Sequence, residues 1–310
     1  MTTGAIQTTG WVTAAVNVLL SIKPLAALAK HQAREMMIQR AERIGVLWRQ
    51  QVAEYGMRRA DLERSLAAVA QPIAYPDYYI RSFHAYEEGN LGWLPAMEVE
   101  VAAYAVHSRI WSKQSEADGD RRLRQAYHGA LRSHLSQEPR RILDVGCSVG
   151  MSTFALQTEF PGAAVTGLDL SPYFLAIAHD RQQRVADAPQ TITWVHAAAE
   201  ATGLPDNYFD LVSVCLVCHE LPQEATRQML RELHRILAPG GTLSLMDMNP
   251  QSPIYARMPP YILTLLKSTE PYLDEYFSLD LGAELATAGF APPETTSHTP
   301  RHRTVVTKKL

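Results

Sequence analysis

The sequence is poor in the features that mark exported, membrane-spanning or nucleic-acid-binding chains. Its 310 residues include only Cys147, Cys215 and Cys218, in no spacing that suggests a disulfide framework, which fits a cytoplasmic protein. An uninterrupted run of about 20 apolar residues, the length of a spanning helix, is missing. The nearest approach, residues 11–22, is interrupted by Asn17 and followed by Lys23 and Pro24. No basic segment leads into that stretch, so a cleaved signal peptide is not expected, in spite of Ala27-Leu28-Ala29. An excess of positive charge is missing as well: 29 basic against 32 acidic residues give a net charge of −3 and no reason to expect a nucleic-acid partner. No internal repeat or low-complexity tract divides the chain.

What is present changes character along the chain. Residues 1–140 carry 17 Lys and Arg against 14 Asp and Glu, and residues 141–310 carry 12 against 18. Residues 27–66 show apolar positions at helical spacing among arginines that include Arg34, Arg40, Arg43, Arg49, Arg58 and Arg59. These N-terminal helices read either as a solvated face or, with residues 11–22, as a peripheral membrane contact. Residues 71–93 combine turn formers with dense aromatics, among them Tyr79, Phe83, His84, Tyr86 and Trp93. Two readings stand: rings lining a substrate pocket, or the core of a cap. Helical spacing resumes over 94–111 and 121–135 around a polar break at 115–120.

The most informative stretch is 141–150, Arg-Ile-Leu-Asp-Val-Gly-Cys-Ser-Val-Gly, followed by a second apolar run that ends in Asp169. An open α/β sheet grips a nucleoside in this way, with a glycine turn under the ligand and an acid for the ribose hydroxyls. Two features favour S-adenosylmethionine over a dinucleotide. Ser148 stands where G-x-G-x-x-G requires its second glycine, and Asp144 places negative charge before the turn, which disfavours a diphosphate and suits an ammonium or a sulfonium.

Further blocks follow in order: Glu200 with Leu204-Pro-Asp206, Phe209-Asp-Leu-Val212, Cys218-His-Glu-Leu221 and Leu237-Ala-Pro-Gly-Gly241. With Leu143-Asp-Val-Gly-Cys147 and Asp169, the chain resembles the class I S-adenosylmethionine-dependent methyltransferases. It is most similar to the ubiquinone/menaquinone C-methyltransferase (methyltransferase type 11) branch, over roughly 170 residues. The resemblance implies an α/β, Rossmann-like seven-stranded sheet with an antiparallel terminal hairpin. It implies a division into a mostly helical, substrate-covering cap at 1–137 and a methyltransferase domain at 138–310. The cofactor is then S-adenosylmethionine. Gly146, Cys147, Ser148 and Gly150 shape the turn around its methionine part, with Asp144 near the amino group. Asp169 takes the ribose hydroxyls, Leu170 stacks on adenine, and Ala198, Ala199, Glu200 and Cys215 complete the cofactor set. Ala198 stands where many relatives carry an acid for the adenine amino group.

His219 and Glu220 follow the fourth strand, on the side where an open α/β sheet presents ligands, and are the candidate catalytic pair. Tyr79, Phe83, His84, Tyr86, Trp93, His219 and Tyr261 are the candidate substrate contacts. Residues 252–279, rich in tyrosine, are expected to fold over the acceptor site. No metal is expected. Cys215-Leu-Val-Cys-His219 matches a haem-attachment pattern, but a strand aims residues three apart at opposite faces. Met258-Pro-Pro-Tyr261 lacks the leading Asn or Asp of amino-methylating enzymes. The expected reaction is C- or O-methylation of a small or lipophilic acceptor of aromatic, polyketide or isoprenoid-quinone type. The alternatives are an NAD-dependent oxidoreductase and a non-catalytic S-adenosylmethionine-binding module. Calorimetric titration separates these readings: S-adenosylmethionine should bind in preference to NADH, and the reverse order would establish the oxidoreductase.

Overall fold

The computed structural model describes residues 23–84, 86–111, 114–184 and 192–310. Residues 11–22 lie outside these. Five helices come first: α1 Lys23–Arg43, α2 Trp48–Met57, α3 Arg59–Val69, α4 Trp93–His107 and α5 Gly119–Arg132. An alternating region follows with β1 Arg141–Val145, α6 Met151–Glu159, β2 Ala164–Asp169, α7 Pro172–Arg184, β3 Ile192–His196 and β4 Phe209–Cys215. After a 3₁₀ turn at Cys218–Glu220 come α8 Gln223–Ile236 and β5 Leu237–Met248. Three short helices, α9 Pro253–Ala256, α10 Pro260–Thr269 and α11 Leu273–Ser278, cross the sheet end. The chain finishes with α12 Leu281–Thr287, β6 Glu294–Ser297 and β7 His302–Lys308.

The strands form one sheet in the order β3-β2-β1-β4-β5-β7-β6, with β7 antiparallel to β5 and β6. The order reverses beside β1, so the C-terminal ends of β1 and β4 face a common crevice, where such sheets bind ligands. Both faces of the sheet are covered, which explains the near-continuous apolar strands. Along β4, Val212 and Val214 join α8 residues Met229, Leu230 and Leu233 in one cluster. Leu211 and Cys215 turn to the other face, toward α5. A register shift between Phe209 and Leu211 interrupts this alternation and puts Phe209 on the α8 side.

Two expectations are redrawn. The helical stretch over 27–66 is three helices, broken at Gly45, whose φ of +82° suits glycine, and at Arg58. Helix α5, assigned by sequence to the cap at 1–137, lies on the sheet itself. Its Tyr127 hydroxyl is 2.8 Å from Ser213 Oγ, and Leu131 packs with Ile142 and Leu211. Strand β5 begins at Leu237, which pairs with Phe209; the next pair, Leu211 with Thr242, follows only after residues 238–241 bulge out of the ladder.

The remaining N-terminal helices pack on α7. Tyr55, Leu62, Ala96 and Met97 share a cluster with Phe174 and Ile177, and Arg58 clamps Asp180 bidentately at 2.7 and 2.6 Å. Glu98 organises their interior. It is fully buried and accepts from Arg34 Nε at 2.9 Å, Trp48 Nε1 at 3.0 Å and the Tyr86 hydroxyl at 2.6 Å. Removing that acceptor strands three donors. Glu98→Ala should therefore lose about 3–5 kcal/mol in urea denaturation. Glu98→Gln, which keeps a carbonyl acceptor, should lose less.

Candidate active site

The turn after β1 is held by two carboxylates. Gly146 has φ +67°, and a Cβ there would lie 2.3 Å from Val217 Cγ2, so the turn passes under Val217 only because the position is glycine. Ser148 follows with φ +51°, an uncommon conformation for a residue with a side chain. Its N–H donates to Asp169 Oδ2 at 2.7 Å, and the Ser171 N–H donates to Asp169 Oδ1 at 2.8 Å. Asp169 thus ties the turn after β1 to the end of β2. Asp144, with no exposure, accepts from Ser152 Oγ at 2.6 Å and Thr153 Oγ1 at 2.7 Å through Oδ2. Burial pushes the carboxyl groups of both Asp144 and Asp169 up to about 6, against the hydrogen bonds they accept.

These residues fit S-adenosylmethionine. Asp144 Oδ1 and Ser148 Oγ are buried without a hydrogen-bond partner. Each Asp169 oxygen accepts one backbone N–H and retains capacity for a ribose hydroxyl. Leu170 is buried at the end of β2. Ala198 bridges Ala201, and Ala199 packs against the sheet cluster. Glu200 accepts from the Tyr78 hydroxyl at 2.7 Å, while its Oε2 is buried and unpaired. The Cys147 side chain packs with Val69, Leu175 and Trp194, which leaves its backbone to the turn. Cys215 requires a correction: its side chain sits in the core with Leu123, Tyr127 and Met246, because this position of β4 faces α5.

Arg124 was missed by the sequence reading. It projects from α5, donates to Asp120 Oδ2 at 2.9 Å and Oδ1 at 3.4 Å, and also meets sulfur: Cys215 Sγ at 3.7 Å and Met151 Sδ at 3.9 Å. Burial opposes its charge, but Asp120, Cys215 and Asp144 hold the guanidinium above its ordinary range. Nothing in the local pattern separates it from Arg121 and Arg122 beside it.

The segment after α3 lies across this end of the sheet. The Gln71 N–H donates to His196 Nδ1 at 2.9 Å, the Tyr75 hydroxyl is 3.4 Å from His196 Nε2, and Ser171 Oγ donates to Asn90 O at 2.6 Å. Tyr79 stacks on Tyr75 and meets Tyr78 edge-on. Burial first, then the carboxylates of Asp169 and Glu220, push its phenol well up. Phe83 is buried and pairs through its backbone with Tyr86. Tyr86 and Trp93 do not meet the expectation of substrate contacts. Tyr86 reaches Glu98 in the helical interior, and Trp93 packs edge-on to Tyr173 beneath Arg59. Tyr261 lies in α10, and its side chain is outside the described residues.

Beyond β4, Leu216 turns at φ +61° and the 3₁₀ turn presents His219 and Glu220. His219 Nδ1 donates to Asp247 Oδ1 at 2.7 Å, and its backbone N–H donates to Asp247 Oδ2 at 3.2 Å. Burial works against the imidazolium, but Asp247 outweighs it and raises His219 to about 10. On the opposite wall His84, at φ +47°, has its Nε2 3.0 Å from Glu270 Oε1 and 3.5 Å from Glu220 Oε1. The His84 N–H donates to Thr269 O at 3.2 Å, which fixes this loop against α10. Burial pushes Glu220 up to about 7, against the pull of His84 and His219. Asp247 thus favours the imidazolium form of His219, and burial favours the protonated form of Glu220. Asp247 and Glu270 were also missed by the sequence reading, since a lone acid at an element end carries no distinctive spacing. The C-x-x-C-H pattern dissolves here, because Cys215 lies beneath α5 whereas Cys218 packs on the α8 face.

Asp169→Asn removes a charge from the ribose position and should weaken S-adenosylmethionine binding about 10- to 100-fold by calorimetry. Cofactor affinity should also fall as pH drops below about 6, where Asp144 and Asp169 take up protons.

A family model described as a methyltransferase domain matches residues 142–241. The chain is 32% identical over 165 residues to an uncharacterised methyltransferase of Synechocystis sp., covering 53% of this chain and 73% of that protein. It is 29% identical over 197 residues to the ubiquinone biosynthesis O-methyltransferase of Pseudomonas aeruginosa, covering 61% of this chain and 82% of that one. Among solved structures, phosphoethanolamine N-methyltransferase 2 of Haemonchus contortus, in complex with S-adenosyl-L-methionine, aligns with a TM-score of 0.52 and 17% identity. The alignment covers 77% of this chain and 60% of that one, a likeness of fold. The sheet order, the turn braced by Asp169 and these relatives converge, and the chain belongs to the class I S-adenosylmethionine-dependent methyltransferases.

Proposed function

We propose that the protein methylates an oxygen or carbon of a small, lipophilic acceptor that carries an acidic hydroxyl, of isoprenoid-quinol, aromatic or polyketide type. The observation that carries this reading is the placement of Glu220 between His84 and His219, each histidine held by its own carboxylate. The name of the Pseudomonas relative, a ubiquinone biosynthesis O-methyltransferase, supports the quinone type. Residues 1–137, α5 excepted, are read as the substrate-covering region over a catalytic domain at 138–310.

When bound, S-adenosylmethionine supplies an electrophilic methyl group whose bonding pair leaves with the sulfur. The chain's own residues then do three things. Glu220 takes the acceptor's proton, which its neutral-range ionisation permits. His219, kept cationic by Asp247, donates through Nε2 to the oxygen on which negative charge develops. Tyr79 and Phe83 supply apolar walls that orient the acceptor and exclude water.

His219→Ala should lower kcat by about 100-fold or more while leaving cofactor affinity nearly unchanged. Equal losses in both would assign His219 to the cofactor site. Activity should rise with pH through about 7 as Glu220 ionises and fall through about 10 as His219 loses its proton. Glu220→Gln should abolish the lower limb. The acceptor itself is identified by incubating the protein with labelled S-adenosylmethionine and a host-cell extract, followed by mass spectrometry. A labelled product without an ionisable hydroxyl or enol precursor would overturn the proposal.

A further inference from the structure

Arginines on this protein are commonly matched to carboxylates, as Arg34 is to Glu98, Arg58 to Asp180 and Arg181 to Glu100. Arg40, Arg43, Arg109 and Arg301 are not: none forms an ion pair within 4.0 Å among the described residues. Three separate segments bring them together. Ile38 and Ala41 of α1 share a buried cluster with Val101 and Ala105 of α4, which sets Arg40 beside the end of α4, with Arg109 one turn past Ala105. Arg301 precedes His302, whose ring stands 5.9 Å edge-on from His107, two residues before Arg109. Arg40 lies at the centre. Burial lowers its guanidinium, and the charges of Arg109, Arg43 and Arg301 lower it further, with no carboxylate among the causes.

Four like charges held together without a counter-charge repel one another, and the fold retains them although the whole chain is net negative at −3. Long apolar side chains stand exposed among them. Met36 is 62% exposed, Leu47 53% and Val106 47%. Met36, Arg40 and Arg43 share one face of α1 by their spacing, Leu47 stands just past its end, and Val106 lies three residues before Arg109. A nucleic acid would match the guanidinium groups and leave the methionine, leucine and valine without a purpose. A bilayer with anionic headgroups matches both: guanidinium to lipid phosphate, and apolar tips to the headgroup and acyl boundary.

We propose that Arg40, Arg43, Arg109 and Arg301, with Met36, Leu47 and Val106, form a docking face for a membrane rich in anionic phospholipid. The assignment is independent of the methyl acceptor. It places the bilayer against the outer side of α1 and α4, so the interior that holds Glu98 lies between membrane and sheet.

The full chain should cosediment with vesicles containing about 30 mol % phosphatidylglycerol and not with phosphatidylcholine alone, and about 0.5 M salt should reverse the binding. The variant Arg40→Gln/Arg43→Gln/Arg109→Gln/Arg301→Gln should bind the anionic vesicles at least about 100-fold more weakly, at roughly fivefold per arginine. A control, Arg59→Gln/Arg64→Gln/Arg121→Gln/Arg231→Gln, removes four exposed charges elsewhere and should bind like the wild type. Residues 11–22 are present in every variant, so any apolar contribution from them is constant. Thermal melting and S-adenosylmethionine titration should be unchanged in the first variant, which separates lost docking from lost folding. Met36→Ser/Leu47→Ser should weaken vesicle binding as well. Four outcomes would overturn the proposal: no binding to anionic vesicles, equal loss in the control, full displacement by millimolar inorganic phosphate, or tighter binding to duplex DNA than to vesicles.

Discussion

The site depends on one buried carboxylate and the two backbone N–H groups that face it. Asp169 sits at the end of β2, and its bonds to Ser148 and Ser171 hold the turn after β1 in a conformation that Ser148 by itself would resist. That turn passes under Val217, so its path also sets the exit from β4 and the 3₁₀ turn that follows. Beside it, Asp144 Oδ1 and Ser148 Oγ are buried without partners, at a cost on the order of 1–3 kcal/mol for each.

The other side of the crevice, proposed above to take the acceptor, has its charges already paired. His219 belongs to the sheet and is held by Asp247 of β5, whereas His84 belongs to the N-terminal segment and is held by Glu270 after α10. Glu220 lies where the two meet, and its raised proton affinity results from burial only partly compensated by the two imidazoles. The same N-terminal segment is tied to His196, Glu200 and Ser171 around the nucleoside end. One stretch of chain thus packs along both the Asp169 end and the Glu220 end of the crevice.

Much of the cofactor site was legible in the order of residues, because the turn and the acid are local. Gly146, Ser148 and Asp169 lie at the ends of successive strands, and a strand's alternation and its terminating turn are written in a few neighbouring residues. The sheet with its terminal hairpin was legible for the same reason. Arg124, Asp247 and Glu270 were not. Asp247 and Glu270 act on partners far along the chain, and Arg124 reaches Cys215 and Met151 as well as its helix neighbour Asp120; a single charged residue on a helix or at a strand end has the same appearance whether it faces water or a buried group. Tyr86 and Trp93 show the opposite failure. Their aromatic surroundings resembled a pocket lining, yet Glu98 and Tyr173 draw them into packing.

The sequence by itself determined the order of strands and helices, the glycine turn, the acid at the end of β2 and the placement of His219 and Glu220 after the fourth strand. All of these follow from spacing within a few residues, where backbone geometry leaves little choice. Only the tertiary structure decided which groups share a proton and which charges go unmatched. It set His84 against Glu220, held Arg124 on Asp120 beside Cys215, and brought Arg40 into the field of Arg43, Arg109 and Arg301. Proton affinity and charge repulsion depend on distance through space, and the packing of α1 on α4 and of the N-terminal segment on the sheet end sets those distances.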